Sequence, residues 1–83
     1  MTVNKQKILE NICYTELVYE RINKKLHTTL SKKQIEEYLL HILTDTDDKF
    51  FTKTGKNFYV INTEHNIRIT INSNTFRVIT VDR

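Results

Sequence analysis

Residues 66–81 read Asn66-Ile67-Arg68-Ile69-Thr70-Ile71-Asn72-Ser73-Asn74-Thr75-Phe76-Arg77-Val78-Ile79-Thr80-Val81, and this stretch decides the fold. Apolar and polar side chains alternate on both sides of Ser73-Asn74. Period two is the spacing of a strand with one face on a core and the other in water. With Ser73-Asn74 as a two-residue turn, Ile71 faces Phe76, Ile69 faces Val78 and Ile67 faces Thr80, all on one side of a hairpin. Asn74 tolerates the left-handed backbone that such a turn requires. The opposite side then carries Arg68, Thr70, Asn72, Thr75 and Arg77, with Ile79 and Val81 among them.

Upstream, Asn57-Phe58-Tyr59-Val60-Ile61-Asn62 reads as a further strand over 57–62, and Phe50 to Lys53 as a short one before it. Thr54-Gly55-Lys56 turns one into the other. Gly55 is the single glycine of the chain and suits a positive φ there. Two registers satisfy the pattern of strand 57–62. Either Phe58 and Val60 or Tyr59 and Ile61 face the core. The predicted strands are therefore 50–53, 57–62, 66–72 and 75–82.

The first half of the chain is helical in pattern. Ile8, Ile12, Tyr19, Ile22 and Leu26 recur near helical spacing over 7–26, with Leu9, Leu17 and Val18 widening the stripe. The stretch around Ile12–Val18 is too apolar for a simple surface helix. It is either broken near Tyr14-Thr15 or buried on two faces. Ser31-Lys32-Lys33-Gln34 fits a capping box and predicts a second helix over 32–43, with Ile35, Leu39, Ile42 and Leu43 inward. Two N-terminal helices on one face of a three- or four-stranded antiparallel meander, an α+β fold, is the expected architecture. Its 83 residues leave room for one domain.

Composition narrows the function classes. With 39% hydrophobic and 28% charged residues the chain belongs with globular proteins, not disordered ones. A core this small often gains stability from a partner, so a homodimer is one expectation. Cys13 is the only cysteine, which excludes an internal disulfide and multi-thiolate zinc sites. His27, His41 and His65 show no ligand spacing, so no metal is expected. One glycine cannot build a phosphate-binding glycine loop, so no nucleotide cofactor is expected either. No apolar run approaches the ~20 residues that span a bilayer, and residues 1–5 lack a signal-peptide pattern. No membrane contact and a reduced, cytoplasmic setting are expected.

Charge is segregated more than the net +3 suggests. Arg21, Lys24, Lys25, Lys32 and Lys33 lie in a stretch without acids, while Glu36-Glu37 and Asp45, Asp47 and Asp48 collect elsewhere. Segregation of this kind can give one positive face. In the proposed hairpin Arg68 and Arg77 are diagonal neighbours, with Thr70, Asn72 and Thr75 beside them. Two guanidiniums among neutral donors and acceptors suit a phosphodiester or a carboxylate. Arg21, His27 and Lys56 are the candidates for a metal-independent cleavage of RNA. His27 would move the proton, and Arg21 and Lys56 would stabilise the phosphorane charge.

Two family resemblances rest on these residues. Gly55-Lys56-Asn57-Phe58-Tyr59-Val60, Thr70-Ile71-Asn72 and Ile79-Thr80 resemble a family of small bacterial proteins of unknown function. Its members share a Gly-Lys-Asn-aromatic-Tyr-Val strand, a Thr-Ile-Asn strand end and an Ile-Thr terminal strand. That resemblance implies no activity. More distantly, Glu20-Arg21, the helix starting at Ser31, the Gly55-Lys56 turn and Ile79-Thr80-Val81 resemble the element order of RNase toxins of the barnase, EndoU, colicin and RelE group. This second resemblance implies a ribonuclease. The chain departs from it in having no histidine in the first helix and in placing Thr80 on the apolar face. Three readings stand: a binding module for nucleic acid or a protein partner, a toxin-type ribonuclease, and a homodimerisation domain.

Overall fold

The computed structural model describes residues 3–83. Three helices, α1 (Lys5–Asn11), α2 (Glu16–Leu26) and α3 (Lys32–Asp45), come first. A single 3-10 turn at Asp48–Phe50 leads into strands β1 (Phe51–Thr54), β2 (Asn57–Asn62), β3 (Ile67–Asn72) and β4 (Val78–Asp82). They form one antiparallel sheet in the order β1-β2-β3-β4. The α+β class and the helices-then-meander order are as expected.

The number of helices is not two. The stretch 7–26 divides into α1 and α2 because Ile12 turns extended (φ −55, ψ 135) and Cys13 pairs with the sheet. Cys13 N–H donates to the Phe76 carbonyl at 2.9 Å, and its carbonyl accepts from Val78 N–H at 3.0 Å. A continuous helix would consume both groups. Thr15, also extended, restarts the chain as α2, with Glu16 in the first turn. Negative charge there suits the helix dipole. α3 begins at the expected cap: Ser31 Oγ accepts from Gln34 N–H and Gln34 Oε1 accepts from Ser31 N–H.

One core joins these elements. Val18, Ile22 and Leu26 recur every four residues along α2 and are buried against Ile35, Leu39, Ile42 and Leu43 of α3 and against the sheet. β3 contributes Ile67, Ile69 and Ile71, and β4 contributes Val78 and Val81. The open choice in β2 resolves with Phe58 and Val60 opposite Ile71 and Ile69, hence inward. Tyr59 and Ile61 point the other way.

The β3–β4 register differs from the sequence expectation. Ile69 stands opposite Val81 and Ile71 opposite Val78, with Thr70 opposite Thr80. Thr80 therefore leaves the apolar face. The connection is five residues long, Ser73 to Arg77, with Asn72 N–H donating to the Arg77 carbonyl across its base. Asn72 Oδ1 accepts from the backbone of Asn74 and Thr75. The left-handed residue is Phe76 (φ 60), not Asn74. Its conformation is held by its N–H on the Asn72 carbonyl, by Cys13 on its own carbonyl, and by its ring lying 6.1 Å from Phe58. The register then shifts by one residue between the Ile71–Val78 and Thr70–Thr80 pairs. Such a bulge lets Val78 and Val81 both face inward and pushes Ile79 out. β4 consequently begins at Val78, and β3 at Ile67, each later than predicted.

Candidate functional site

All three helices pack on one face of the sheet, and among the described residues no helix covers the other face. Alternation and register place Thr52 and Thr54 of β1, Asn57, Tyr59 and Ile61 of β2, and Arg68, Thr70 and Asn72 of β3 on that outer face. Thr80 and Asp82 of β4 complete it. A transverse row Thr52–Tyr59–Thr70–Thr80 crosses its middle, and Ile61–Arg68–Asp82 crosses nearer one end. Tyr59 is the aromatic of this face, half-buried among its neighbours, and its hydroxyl lies 3.4 Å from Asn57 Nδ2.

The five binding candidates have unequal positions. Arg68 is exposed and makes no ion pair among the described residues. Its strand neighbour Asp82 is neutralised instead by Lys25 at 3.1 Å. Thr70 is only 7% exposed, walled in by Tyr59 and Thr80. Asn72 spends its carbonyl oxygen on the loop backbone. Thr75 and Arg77 lie in that loop. Arg77 is therefore not a diagonal neighbour of Arg68. Its backbone pairs with Asn72, four residues along β3, about 13 Å at strand rise.

The catalytic candidates are not gathered into one site. α2 runs alongside β4 in the same direction, with Arg21 Nη1 donating to the Ile79 carbonyl at 3.2 Å and Lys25 paired to Asp82. Arg21 and His27 line one open depression on the outer side of α2. His27 caps α2 in a left-handed conformation (φ 57, ψ 47) beyond the Asp82 end of β4. Lys56 lies at the opposite end, where its carbonyl accepts from Ser73 N–H in the β3–β4 loop. Arg21 instead meets Arg77: both line a groove between α2 and β4 together with Leu17 and Ile79.

Sequence reasoning missed the residues that give the outer face its character, Tyr59 and Ile61. The signal was present in the alternation of β3, which passes to β2 once the pairing of Val60 with Ile69 is known. It also missed Arg83, which joins Arg68, Asp82 and Ile61 around a small cleft at one end of the face. Among the described residues no three His, Cys, Asp or Glu side chains are gathered where they could hold a metal ion. No described helix is long and apolar enough to cross a membrane.

Comparison with known proteins returns no match among curated proteins and none among solved structures. A family match covers nearly the whole described chain, from α1 through β4. The protein belongs to the family described as Protein of unknown function (DUF3781), which matches its residues 6–82.

Proposed function

We propose that this protein is a non-catalytic binding module whose ligand is single-stranded nucleic acid, held on the helix-free face of the sheet. The observation that carries this reading is the outer face, helix-free among the described residues, with Tyr59 at its centre and, beside it, Arg68 without an ion pair among them. Single strands are gripped by aromatic side chains that stack on bases and by cations that track phosphates. Here Tyr59 supplies the platform and the Thr and Asn side chains supply hydrogen-bonding groups. Arg68 and Arg83 supply charge around the cleft at one end. Among the described residues the acid on the face is Asp82, already paired with Lys25, so little opposes an anion there.

Lys56 lies at the opposite end of the molecule from His27, and Arg21 lies between them on α2 against Ile79, so the three are not gathered into one site. Binding therefore fits the geometry better than phosphodiester cleavage. The deciding experiment is retention of labelled single-stranded RNA and DNA by purified protein at low and moderate salt, with EDTA present and the strands inspected for cleavage. Salt-sensitive retention of intact strands is the expected result. Absence of retention at low salt overturns the reading, and cleavage in EDTA replaces it with the ribonuclease one.

A further inference from the structure

We propose that the groove between α2 and β4 docks an acidic, amphipathic segment of a protein partner, on a surface separate from the outer sheet face. The groove, about 260 Å³ in volume, is lined by Leu17, Arg21, Arg77 and Ile79 with Val18 and Val78 at its floor. Leu17 is 75% exposed, the most exposed large hydrophobic side chain among the described residues, and Ile79 is 36% exposed. Two exposed apolar side chains are here set along one groove. The bulge that turns Ile79 outward and the break that starts α2 at Glu16 together create that placement.

Charge selects the occupant. Arg21 and Arg77 flank the two apolar residues, and neither has an acidic partner among the described residues. Arg21 spends one N–H on the Ile79 carbonyl and keeps its remaining donors. Leu17, Arg21 and Lys24 stand at i, i+4 and i+7 on α2, and with Lys25 they line one depression whose acid is Glu20, so the apolar knob continues into a ridge with more basic than acidic side chains. A leucine-bearing segment with Asp or Glu on either side matches this order of groups, burying its apolar residue on Leu17 and Ile79 while its carboxylates meet the guanidiniums. A bare polyanion would leave Leu17 and Ile79 in water.

The test is a titration of ¹⁵N-labelled full-length protein, followed by amide chemical shifts. The probes are a short peptide with two leucines one helical turn apart among glutamates, the same peptide with lysines for glutamates, and a single-stranded oligonucleotide. The acidic peptide is expected to shift amides of residues 15–21 and 77–79. Arg77→Glu is expected to weaken that binding by about fivefold or more, as loss of a central arginine contact does. Leu17→Ser, at an exposed position, is expected to abolish it with the melting temperature unchanged. Equal shifts from the lysine peptide, no shifts at millimolar acidic peptide, or groove shifts produced by the oligonucleotide alone would each overturn the proposal.

Discussion

Asn62 Nδ2 donates to Thr46 Oγ1 across 2.9 Å, a buried hydrogen bond that ties the end of β2 to the end of α3. Thr46 is 3% and Asn62 6% exposed. The threonine hydroxyl in turn donates to the Ile42 carbonyl at 2.6 Å, and Asn62 Oδ1 accepts from His65 N–H at 2.8 Å. Every polar atom of the pair is thus engaged, which is what makes a polar pair tolerable in so small a core. Thr46→Val keeps the volume but strands the Asn62 amide, and it should cost about 1–3 kcal/mol. Combined with Asn62→Leu, the loss should fall short of the sum of the two single losses, because the second change removes the stranded donor. Urea unfolding of the three variants measures this. Additivity within about 0.5 kcal/mol would mean that the contact carries no coupling.

The β3–β4 register makes opposite predictions for adjacent residues. Val81 is fully buried opposite Ile69, and Thr80 stands on the outer face opposite Thr70. Val81→Asp places a carboxylate in the core with no partner and should unfold a domain of ordinary marginal stability. Thr80→Asp should leave the protein folded. The two-residue turn read from sequence alone, with Thr80 facing Ile67, requires the reverse. Circular dichroism of the two variants separates them.

What was legible in the sequence is what local chemistry determines. The Ser31–Gln34 box marks the start of α3, and alternation finds the inward isoleucines of β3, because caps and strand periodicity are settled by near neighbours. The register was settled elsewhere. It depends on Cys13 binding the Phe76 and Val78 backbone from more than sixty residues away, and on an aromatic residue adopting a left-handed conformation. No turn preference foretells either. The same error moved Arg77 onto the sheet face and hid its meeting with Arg21. The break after α1 did leave a sequence trace, since Thr15-Glu16 is a serviceable helix start once Cys13 is known to be extended.

The Ser31 cap offers a direct measure of that local chemistry. Ser31→Ala should lower stability by about 0.5–2 kcal/mol, since the Gln34 N–H loses its acceptor at the helix start. Ser31→Asp should retain most of it. An alanine variant with an unchanged denaturation midpoint would remove the cap from the stabilising contacts.

Tyr14 and Tyr19 give the fold an expected dependence on alkaline pH. Their rings stack at 5.5 Å, and the Tyr19 hydroxyl donates to Glu36 Oε2 at 2.8 Å. Burial first, then the Glu36 hydrogen bond, pushes Tyr19 up to about 12 from the ordinary 10.0. Burial, then the nearby Glu36 charge, pushes Tyr14 higher still. Both folded values lie above the unfolded one, so the associated stability is complete below pH 10 and is lost as pH rises through the folded values. Tyr14→Phe, which removes one of these protons, should flatten the decline above pH 10 relative to wild type. Thermal melts from pH 8 to 12 check this. Identical alkaline limbs for the two proteins would exclude Tyr14 as a source.

The outer sheet face makes the functional prediction. If Tyr59 stacks on a base, Tyr59→Ala should weaken single-strand binding by about 1–3 kcal/mol while Tyr59→Phe binds as the wild type does. The phenylalanine variant matters because Tyr59 is half-buried, and truncation alone also loosens the sheet. If Arg68 neutralises a phosphate, log K should fall with log salt, and Arg68→Gln should reduce the magnitude of that slope by about 0.7, one counterion's share on a single strand. Arg68 is exposed and makes no ion pair among the described residues, so the same change should leave the melting temperature nearly still. Slope and stability are read on the same preparation. A slope unchanged by Arg68→Gln, together with full binding by Tyr59→Ala, would move the nucleic acid off this face, since neither the stacking nor the charge it offers would then be in use.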